Sequence, residues 1–208
     1  SITDREVTQI VDKLFLDDTV DFIEELPANV VKKVIRNTSP QKRELINQFL
    51  KYAEYSAGSI MTIEFVDLKA YMTVKEAINH TRKTGTTKET LETCFIIDQA
   101  RHLLGSVTLK DLILSEDDMI IEDIMDTNLI SVQTSVDQEE VAHLFKAYDL
   151  VTMPVVDKEN RLVGMITIDD VVDIIEQENT EDFQKMAAMA PNEEPYLKTP
   201  VLSLAKHR

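Results

Sequence analysis

The sequence predicts an α+β protein in which a small all-helical N-terminal domain is followed by two copies of one mixed α/β repeat. Three observations predict this class. Apolar residues recur at helical spacing through the first 53 residues. From residue 60 onward the chain repeats itself once. Carboxylates are concentrated in the second copy of that repeat, which indicates a function for this copy beyond folding.

The first 53 residues are predicted to form short helices packed into a small bundle. Their apolar residues fall in sets spaced three or four apart, such as Val30 with Val34. Pro27 and Pro40 stand where a new helix would begin, and Ser39 is placed to cap the helix that starts at Pro40. This stretch is short for a domain that folds by itself.

The repeat is visible as a constant offset between two parts of the chain. Phe-Ile-Ile-Asp at 95–98 aligns with Pro-Val-Val-Asp at 154–157, an offset of 59 residues. The same offset pairs Leu103 with Leu162, Gly105 with Gly164, Thr108 with Thr167, and Asp111 with Asp170. These matches combine apolar, glycine and capping positions, so we interpret them as two copies of one folding unit.

Further upstream the offset changes, which locates an insertion. Ile-Met at 60–61 aligns with Ile-Met at 124–125, an offset of 64 residues, and the polar stretch 82–90 is the simplest place for the difference. Each copy is predicted to hold a pair of short apolar strands bounded by turn residues. The predicted strands are 94–97 with 104–108, and 153–156 with 163–167.

The charge of the chain is large and lies mostly in one place. The 208 residues hold 38 Asp and Glu against 22 Lys and Arg, a formal net charge of −16. Residues 115–182 carry 19 acidic and 3 basic residues, which accounts for the whole excess. Unpaired carboxylates at this density repel one another unless something neutralises them. A solvated surface that serves only solubility is one explanation, and a cation-binding surface is the other.

The composition excludes several classes of function. The excess of carboxylates disfavours binding to nucleic acid and to anionic membrane surfaces. Cys94 is the only cysteine, which excludes an internal disulfide and a multi-cysteine zinc site and indicates a reducing compartment. Four glycines leave no room for a Gly-rich phosphate loop, and the four histidines share no motif, so we expect no enzyme activity. No transmembrane or signal segment is predicted.

Two acidic faces could bind a divalent cation. The first is a stripe along the helix that follows residue 167, formed by Asp170, Asp173, Gln177 and Glu181. The second lies at the start of an early helix and comprises Asp17, Asp18 and Asp21. An ordinary solvated face explains the first set equally simply, and favourable interaction with a helix N-terminus explains the second. Both Mg2+ and Ca2+ prefer oxygen ligands, so the sequence does not separate them.

The repeat resembles a CBS domain. Each copy reads Ile-Met, a helix, an apolar strand ending in Asp, and then Gly-x-x-Thr-x-x-Asp, which ends at Asp111 in one copy and Asp170 in the other. The resemblance implies a tandem pair of CBS domains, over 57–121 and 122–182, docked pseudo-symmetrically into one module that forms a homodimer.

Further motifs resemble the cytosolic part of MgtE-type magnesium transporters. They are the acidic stretch 17–27 ending in Glu-Glu-Leu-Pro, the sequence Ala-Gly-Ser-Ile-Met-Thr at 57–62, and Asp-Gln-Glu-Glu-Val-Ala at 137–142. The resemblance implies an incomplete helical N domain over 1–56. It also implies a C-terminal connecting (plug) helix over 183–208, which would lead to a membrane domain absent from this chain.

The same resemblance implies a function and its sites. The chain would be the Mg2+-sensing region, at the cytoplasmic face of the cell membrane, of a transporter or channel whose pore closes when Mg2+ bridges the acidic faces. The face of Asp17, Asp18 and Asp21 would lie against the CBS domains, so that Asp17 and Asp21 share ions with Asp170 and its neighbours across the domain boundary. A second site near the plug would be formed by Glu139 and Asp149. Further sites near domain and subunit boundaries would be lined by Ser59, Glu178, Glu181 and Asp182.

CBS domains also bind adenine nucleotides, which leaves a rival function open. By resemblance Thr108, Lys110 and Asp111 could hold the ribose of ATP, but the positions expected to stack on adenine are Thr93 and Leu150, which carry no ring. Thr108 as a plain helix cap is the alternative. An adenine-nucleotide-binding regulatory module of another enzyme or channel would bind nucleotide without Mg2+. A structural dimerisation module would respond to neither ligand.

Overall fold

The structure is a computed structural model that describes residues 10–11, 13–24, 26–176 and 180. The chain divides into a compact unit of residues 1–174 and a second unit of residues 175–208. In the second unit residues 175, 176 and 180 are described, and all three are helical. The predicted connecting helix at 183–208 lies outside the described residues. Over the part of the chain that the structure describes, no helix is both long and apolar enough to cross a membrane.

The N-terminal domain is built from α1 (Leu16–Glu24), α2 (Ala28–Asn37) and α3 (Pro40–Phe49), which confirms the predicted helical bundle. Pro27 precedes α2 directly, and Ser39 precedes α3. The Ser39 hydroxyl accepts a hydrogen bond from the amide of Lys42, as predicted for an N-cap. The core of the bundle is formed by Leu16, Val20, Ile23, Val34, Ile46 and Phe49.

A lysine of α3 fixes the chain that leads into α1. The ammonium of Lys42 donates hydrogen bonds to the carbonyl oxygens of Val11 at 2.5 Å and Leu14 at 2.9 Å. The hydroxyl of Thr19 in α1 bonds to the carbonyl of Phe15 at 2.7 Å. These bonds tie α3 and Thr19 to the chain that enters α1.

The first repeat follows a single helical turn, α4 (Ala57–Ile60), and its elements alternate strand and helix. They are β1 (Val66–Leu68), α5 (Val74–Thr84), a 3-10 turn (Gly85–Thr87), β2 (Thr93–Ile97), β3 (Leu103–Thr108) and α6 (Leu109–Leu114). The sheet order is β1-β2-β3, with β1 parallel and β3 antiparallel to β2. A capping box between Thr73 and Glu76 starts α5.

The second repeat has the same order of elements. They are α7 (Ile121–Ile124), β4 (Val132–Gln133), α8 (Gln138–Tyr148), β5 (Thr152–Val156), β6 (Leu162–Thr167) and α9 (helical residues 168–174). Its sheet order is β4-β5-β6 with the same strand directions, and the Thr93–Thr108 pairing of the first sheet corresponds to Thr152–Thr167 in the second. The duplication is therefore confirmed, and the 3-10 turn falls inside the predicted insertion.

The segments that lead into the two repeats are exchanged. Thr62, which precedes the first repeat, pairs with Met165 in β6 of the second. Asp126, which precedes β4, pairs with Ser106 in β3 of the first. A glycine permits each close approach, since a Cβ on Gly164 would lie 2.9 Å from the carbonyl oxygen of Thr62, and one on Gly105 would lie 2.8 Å from that of Asp126.

The β-hairpin turns of the two repeats also pair with each other. The amide of Leu103 donates to the carbonyl of Asn160 at 3.2 Å, and the amide of Leu162 donates to the carbonyl of Arg101 at 2.9 Å. Arg101 and Asn160 both adopt left-handed backbone conformations, with φ of 70° and 61°. The corresponding residues of the two copies therefore make corresponding contacts.

Among the residues that the structure describes, three apolar clusters form the core of the first unit. One combines residues of α1–α3 with Ala57, Met61 and much of the second repeat. Another belongs to the first repeat and surrounds Leu68, Cys94 and Leu112. The third joins the two repeats, and in it the rings of Phe65 and Phe95 pack edge to face with centroids 6.0 Å apart.

Candidate functional site

Five carboxylates from three parts of the fold come together, and we call them the acidic junction. They are Asp18 of α1, Glu64 before β1, Glu89 before β2, and Asp169 and Asp170 at the start of α9. The junction therefore combines the N-terminal domain, the first repeat and the second repeat, all within the unit of residues 1–174.

Hydrogen bonds fix Glu64 and Glu89, the two carboxylates that the first repeat contributes to the junction. The amide of Glu89 donates to the carbonyl of Glu64 at 2.8 Å, which holds the two residues side by side. The hydroxyl of Thr62 donates to the Glu64 carboxylate at 2.9 Å. Thr62 is itself bonded through its backbone to Met165 of β6, at 2.8 and 2.9 Å. The carboxylates of the first repeat are thus anchored to the strand that leads into Asp170.

Asp170 is held by the residue that caps its helix. Its carboxylate accepts hydrogen bonds from the hydroxyl of Thr167 at 2.7 Å and from the Thr167 amide at 3.3 Å. Burial nevertheless raises the pKa of Asp170, against these bonds, and the neighbouring charges of Asp169 and Asp18 raise it further. Asp18, from the predicted acidic face of α1, and Asp170 are therefore close enough to repel each other.

Glu89 carries the clearest sign of this repulsion. Loss of hydration is the largest cause that raises its pKa, although its side chain still reaches solvent. The charges of Asp170, Asp18, Glu64 and Asp169 raise the pKa further, in that order. All four neighbours are acidic, so the ionised junction costs free energy that a cation or a proton would recover.

The junction suits a hydrated ion better than a bare one. Among the described residues no three Asp, Glu, His or Cys lie close enough together to coordinate one metal ion directly. Mg2+ gives up its waters reluctantly and is commonly held by one or two carboxylates, with water filling the other positions. An ion of that kind can bridge carboxylates that do not touch.

Comparison with known proteins identifies the family. A family model described as the MgtE intracellular N domain matches residues 1–55, and the CBS domain model matches residues 57–117 and 121–177. The magnesium transporter MgtE of Thermus thermophilus is 39% identical over 150 residues, which are 72% of this chain and 33% of that protein. This chain belongs to the MgtE-type magnesium transporter family. It spans about a third of the length of that relative, and 41% of the Bacillus subtilis magnesium transporter MgtE, to which it is 31% identical.

Solved structures resemble the MgtE-family fold described above. A crystal structure of the soluble part of a magnesium transporter superposes with a TM-score of 0.83 at 33% identity, covering 85% of this chain and 69% of that one. The cytosolic domain of the Mg2+ channel MgtE in complex with ATP superposes with a TM-score of 0.80 at 34% identity, covering 83% and 71%. The predicted helical N domain with a tandem CBS pair is therefore confirmed as the architecture of this MgtE-family chain.

Other predicted ion ligands are not among the carboxylates that raise the pKa of Glu89 or Asp170. Asp173 is exposed on α9. Glu139 stands in the first turn of α8, and Asp149 ends that helix with a left-handed φ of 51°. Ten residues of helix separate the two by about 15 Å, so one ion cannot contact both directly. The hydroxyl of Ser59 bonds to the backbone of Ser56, at 2.8 Å to its carbonyl and 3.1 Å from its amide.

The remaining predicted ligands are not described at the level of side chains. The structure gives the backbone of Asp17 and Asp21 within α1, without their side chains. Residues outside the described part of the chain are Glu178, Glu181 and Asp182. The roles assigned to these five residues remain predictions.

The predicted nucleotide residues form a helix cap. The hydroxyl of Thr108 lies 2.5 Å from the Asp111 carboxylate and accepts the Asp111 amide at 3.1 Å, which starts α6. Lys110 is exposed beside them. Thr93 lies half-buried in β2, and Leu150 packs against the core cluster of the second repeat. The alternative that Thr108 caps a helix accounts for its observed bonds.

Sequence reasoning missed Glu64 and Glu89. Glu89 lies in the insertion of the first repeat, where no counterpart in the second copy drew attention to it. Glu64 follows Ile-Met-Thr-Ile by itself, with no acidic neighbour. Both residues reach the junction only because the leading segments of the repeats are exchanged. No spacing in the sequence therefore predicts that they lie there.

Proposed function

We propose that this chain is the cytosolic Mg2+-sensing regulatory region of a magnesium transporter or channel. In this proposal Mg2+ bridges acidic faces of the N domain (1–56), the CBS domains (57–121 and 122–182) and the plug helix (183–208), and favours a closed pore. The chain acts at the cytoplasmic face of the membrane and performs no catalysis itself. Its relatives are named as a magnesium transporter and a Mg2+ channel, which supports Mg2+ both as the transported ion and as the ion that is sensed.

The acidic junction is the observation that carries the proposal. Carboxylates from the N-terminal domain and from both repeats raise the pKa of Glu89. When Mg2+ is scarce, this repulsion pushes the N-terminal domain away from the repeats. When Mg2+ is abundant, a hydrated ion favours the compact form, because it interacts with that form more strongly than with the open one.

Small-angle scattering of the chain with and without about 10 mM Mg2+, at ionic strength matched with NaCl, tests the proposal. We expect Mg2+ to reduce the radius of gyration and NaCl not to. Asp170→Asn should weaken the response to Mg2+. Glu122→Gln, at an exposed carboxylate of α7 outside the junction, removes the same charge and should leave the response intact. Equal size with and without Mg2+ would refute the gating mechanism.

We also propose that the chain forms a homodimer through its CBS domains. Ile113 and Leu114 at the end of α6 are 66% and 73% exposed, and Val172 of α9 is 45% exposed. Large apolar side chains on the helices of both repeats suit a self-complementary interface. Leu114→Asp should shift the sedimentation coefficient from that of a dimer to that of a monomer, whereas an unchanged value would place the interface elsewhere.

Adenine-nucleotide binding is the second candidate, because a structural relative is a complex with ATP. In this candidate Thr108, Lys110 and Asp111 contact the nucleotide. Thr108 already uses its hydroxyl to cap α6, so nucleotide binding requires that hydroxyl to serve both partners. Isothermal titration with ATP in the absence of Mg2+ tests this: a measurable heat that Thr108→Val removes would support it, and no heat would refute it.

A further inference from the structure

Thr62 precedes the first repeat in the chain, but its backbone is bonded to the second repeat. Its amide donates to the carbonyl of Met165 at 2.8 Å, and its carbonyl accepts the Met165 amide at 2.9 Å. Met165 lies within β6, and both residues are fully buried. These paired bonds fix the position of Thr62 relative to the second repeat.

The hydroxyl of Thr62 bonds twice to Glu64. It donates to the Glu64 carboxylate at 2.9 Å and accepts the amide of Glu64 at 3.2 Å. Glu64 belongs to the acidic junction, and its carbonyl accepts the amide of Glu89 at 2.8 Å. Because Thr62 is buried and its backbone is fixed, its hydroxyl determines where the charge of Glu64 lies.

The second repeat fixes Asp170 in a similar way. Buried Thr167 donates its hydroxyl to the Asp170 carboxylate at 2.7 Å and its amide at 3.3 Å. Thr167 ends β6, two residues after Met165. One strand therefore anchors two carboxylates of the junction, Asp170 through Thr167 and Glu64 through Thr62. Hydrogen bonds donated to a carboxylate favour its charged form.

The other leading segment shows what the hydroxyl adds. Asp126 takes the place of Thr62 there, since it follows at the offset of 64 residues and pairs with Ser106 of β3. Its carboxylate accepts the amide of Asn128, the counterpart of Glu64, at 2.8 Å. Both side chains accept the amide two residues ahead, but an ionised carboxylate has no proton to donate. Only the hydroxyl of Thr62 can also donate to a carboxylate at that position.

We propose that Thr62 is a positioning residue of the Mg2+ response, because it keeps Glu64 ionised and at a fixed place relative to Asp170 in the acidic junction. The carboxylates are then already arranged for a hydrated ion before the ion arrives. Groups that orient the ligands of a metal affect its affinity without touching the metal. For its purpose this inference rests on the proposed Mg2+ response, but the contact of Thr62 with Glu64 is tested without Mg2+.

The stabilisation of the folded chain by Mg2+ measures the role of Thr62. Melting temperatures are recorded during a Mg2+ titration at ionic strength matched with NaCl, and the midpoint of the rise is compared between variants. Thr62→Val, which keeps the shape and loses the hydroxyl, should raise the Mg2+ midpoint about threefold to tenfold. This is less than for a directly coordinated metal, because the ion keeps its waters. Thr62→Ser, which keeps the hydroxyl, should retain the parent midpoint.

Two further variants separate positioning from stability and from charge. Thr38→Val removes the hydroxyl of another buried threonine, which bonds to the carbonyl of Val34 at 2.8 Å, and should lower the melting temperature without changing the Mg2+ midpoint. Glu64→Asp keeps the charge but withdraws the carboxylate from the Thr62 hydroxyl, so it should raise the midpoint even if Thr62→Val does not fold. A parent-like midpoint in Glu64→Asp or in folded Thr62→Val would overturn the positioning role.

A double-mutant cycle in EDTA tests the contact itself. Thr62→Val should raise the unfolding equilibrium constant, measured in urea, about tenfold in the parent and about threefold or less in Glu64→Ala, which has no carboxylate to accept the bond. Equal effects in the two backgrounds would overturn the contact of Thr62 with Glu64. If the cycle shows this coupling but Mg2+ does not stabilise the parent protein, the contact stands and the proposed Mg2+ response is refuted.

Discussion

Substitution of Gly164 by Ala tests the exchange of leading segments between the two repeats. A Cβ at this position would lie 2.5 Å from the sulfur of Met61, 2.8 Å from its Cγ and 2.9 Å from the carbonyl oxygen of Thr62. Met61 is buried, and the Thr62 carbonyl is held by the amide of Met165 at 2.9 Å. The atoms around the added methyl group therefore cannot move away easily.

The cost follows from those contacts. Overpacking of a well-packed site typically costs about 1–3 kcal/mol. Displacing Thr62 also weakens its paired backbone bonds to Met165, each worth about 1 kcal/mol. We expect Gly164→Ala to lower the free energy of unfolding by about 2–4 kcal/mol in total. In a protein of this size that corresponds to a fall in melting temperature of about 6–12 °C.

Urea denaturation followed by circular dichroism measures the loss, and Gly85→Ala is the matched control. Gly85 caps α5 in a right-handed conformation with φ of −67°, and a Cβ there would meet only the side chain of Leu91. Gly85→Ala should therefore change the free energy of unfolding by less than about 1 kcal/mol. Equal effects of the two substitutions would refute the reasoning, because they would show that the approach of Met61 and Thr62 to Gly164 is not tight.

Three further predictions follow from the core and the junction. Phe95→Ala removes a ring that is 1% exposed and should cost about 3–5 kcal/mol by urea denaturation; a loss below about 1 kcal/mol would contradict the packing. Because burial and its acidic neighbours raise the pKa of Glu89 above 4.5, repulsion is absent at low pH and grows as the pH rises through the folded value. Lowering the pH through that folded value should then lower the Mg2+ needed for compaction, and Glu89→Gln should show a smaller pH effect; an equal effect would assign it to other groups. Burial raises the pKa of Cys94 to about 11, so a thiol reagent at neutral pH should label it only on unfolding, and fast labelling of the native protein would contradict its burial.

The architecture could be predicted because its signals are local. The offset between residues 95–98 and 154–157 recurs as equal strand register in the two sheets. Ser39 caps α3 as its position before Pro40 indicated. The observed strands begin one residue earlier than predicted, β2 at Thr93 and β3 at Leu103. A polar residue or one next to the turn can still pair through its backbone, and the apolar pattern does not signal this.

The candidate site was harder to predict because it depends on contacts between distant parts of the chain. The acidic face that includes Asp18 was expected to lie against the CBS domains near Asp170, but from a resemblance to a family and not from spacing. Glu89 joins them through a backbone bond to Glu64, and Glu64 is placed by the bond between Thr62 and Met165. Helical or strand periodicity carries no information about such pairings, which follow only from the tertiary fold.

The reciprocal contacts between the repeats make each copy depend on the other. Each copy supplies a leading segment to the sheet of the other, and each hairpin turn is completed by the turn of the other copy. A solitary copy would leave a strand edge and a turn with unsatisfied backbone groups, whereas two identical copies satisfy one another by a two-fold axis. The two repeats therefore complete each other's backbone hydrogen bonds as the two halves of a symmetric dimer would, although only the second repeat carries the large excess of carboxylates.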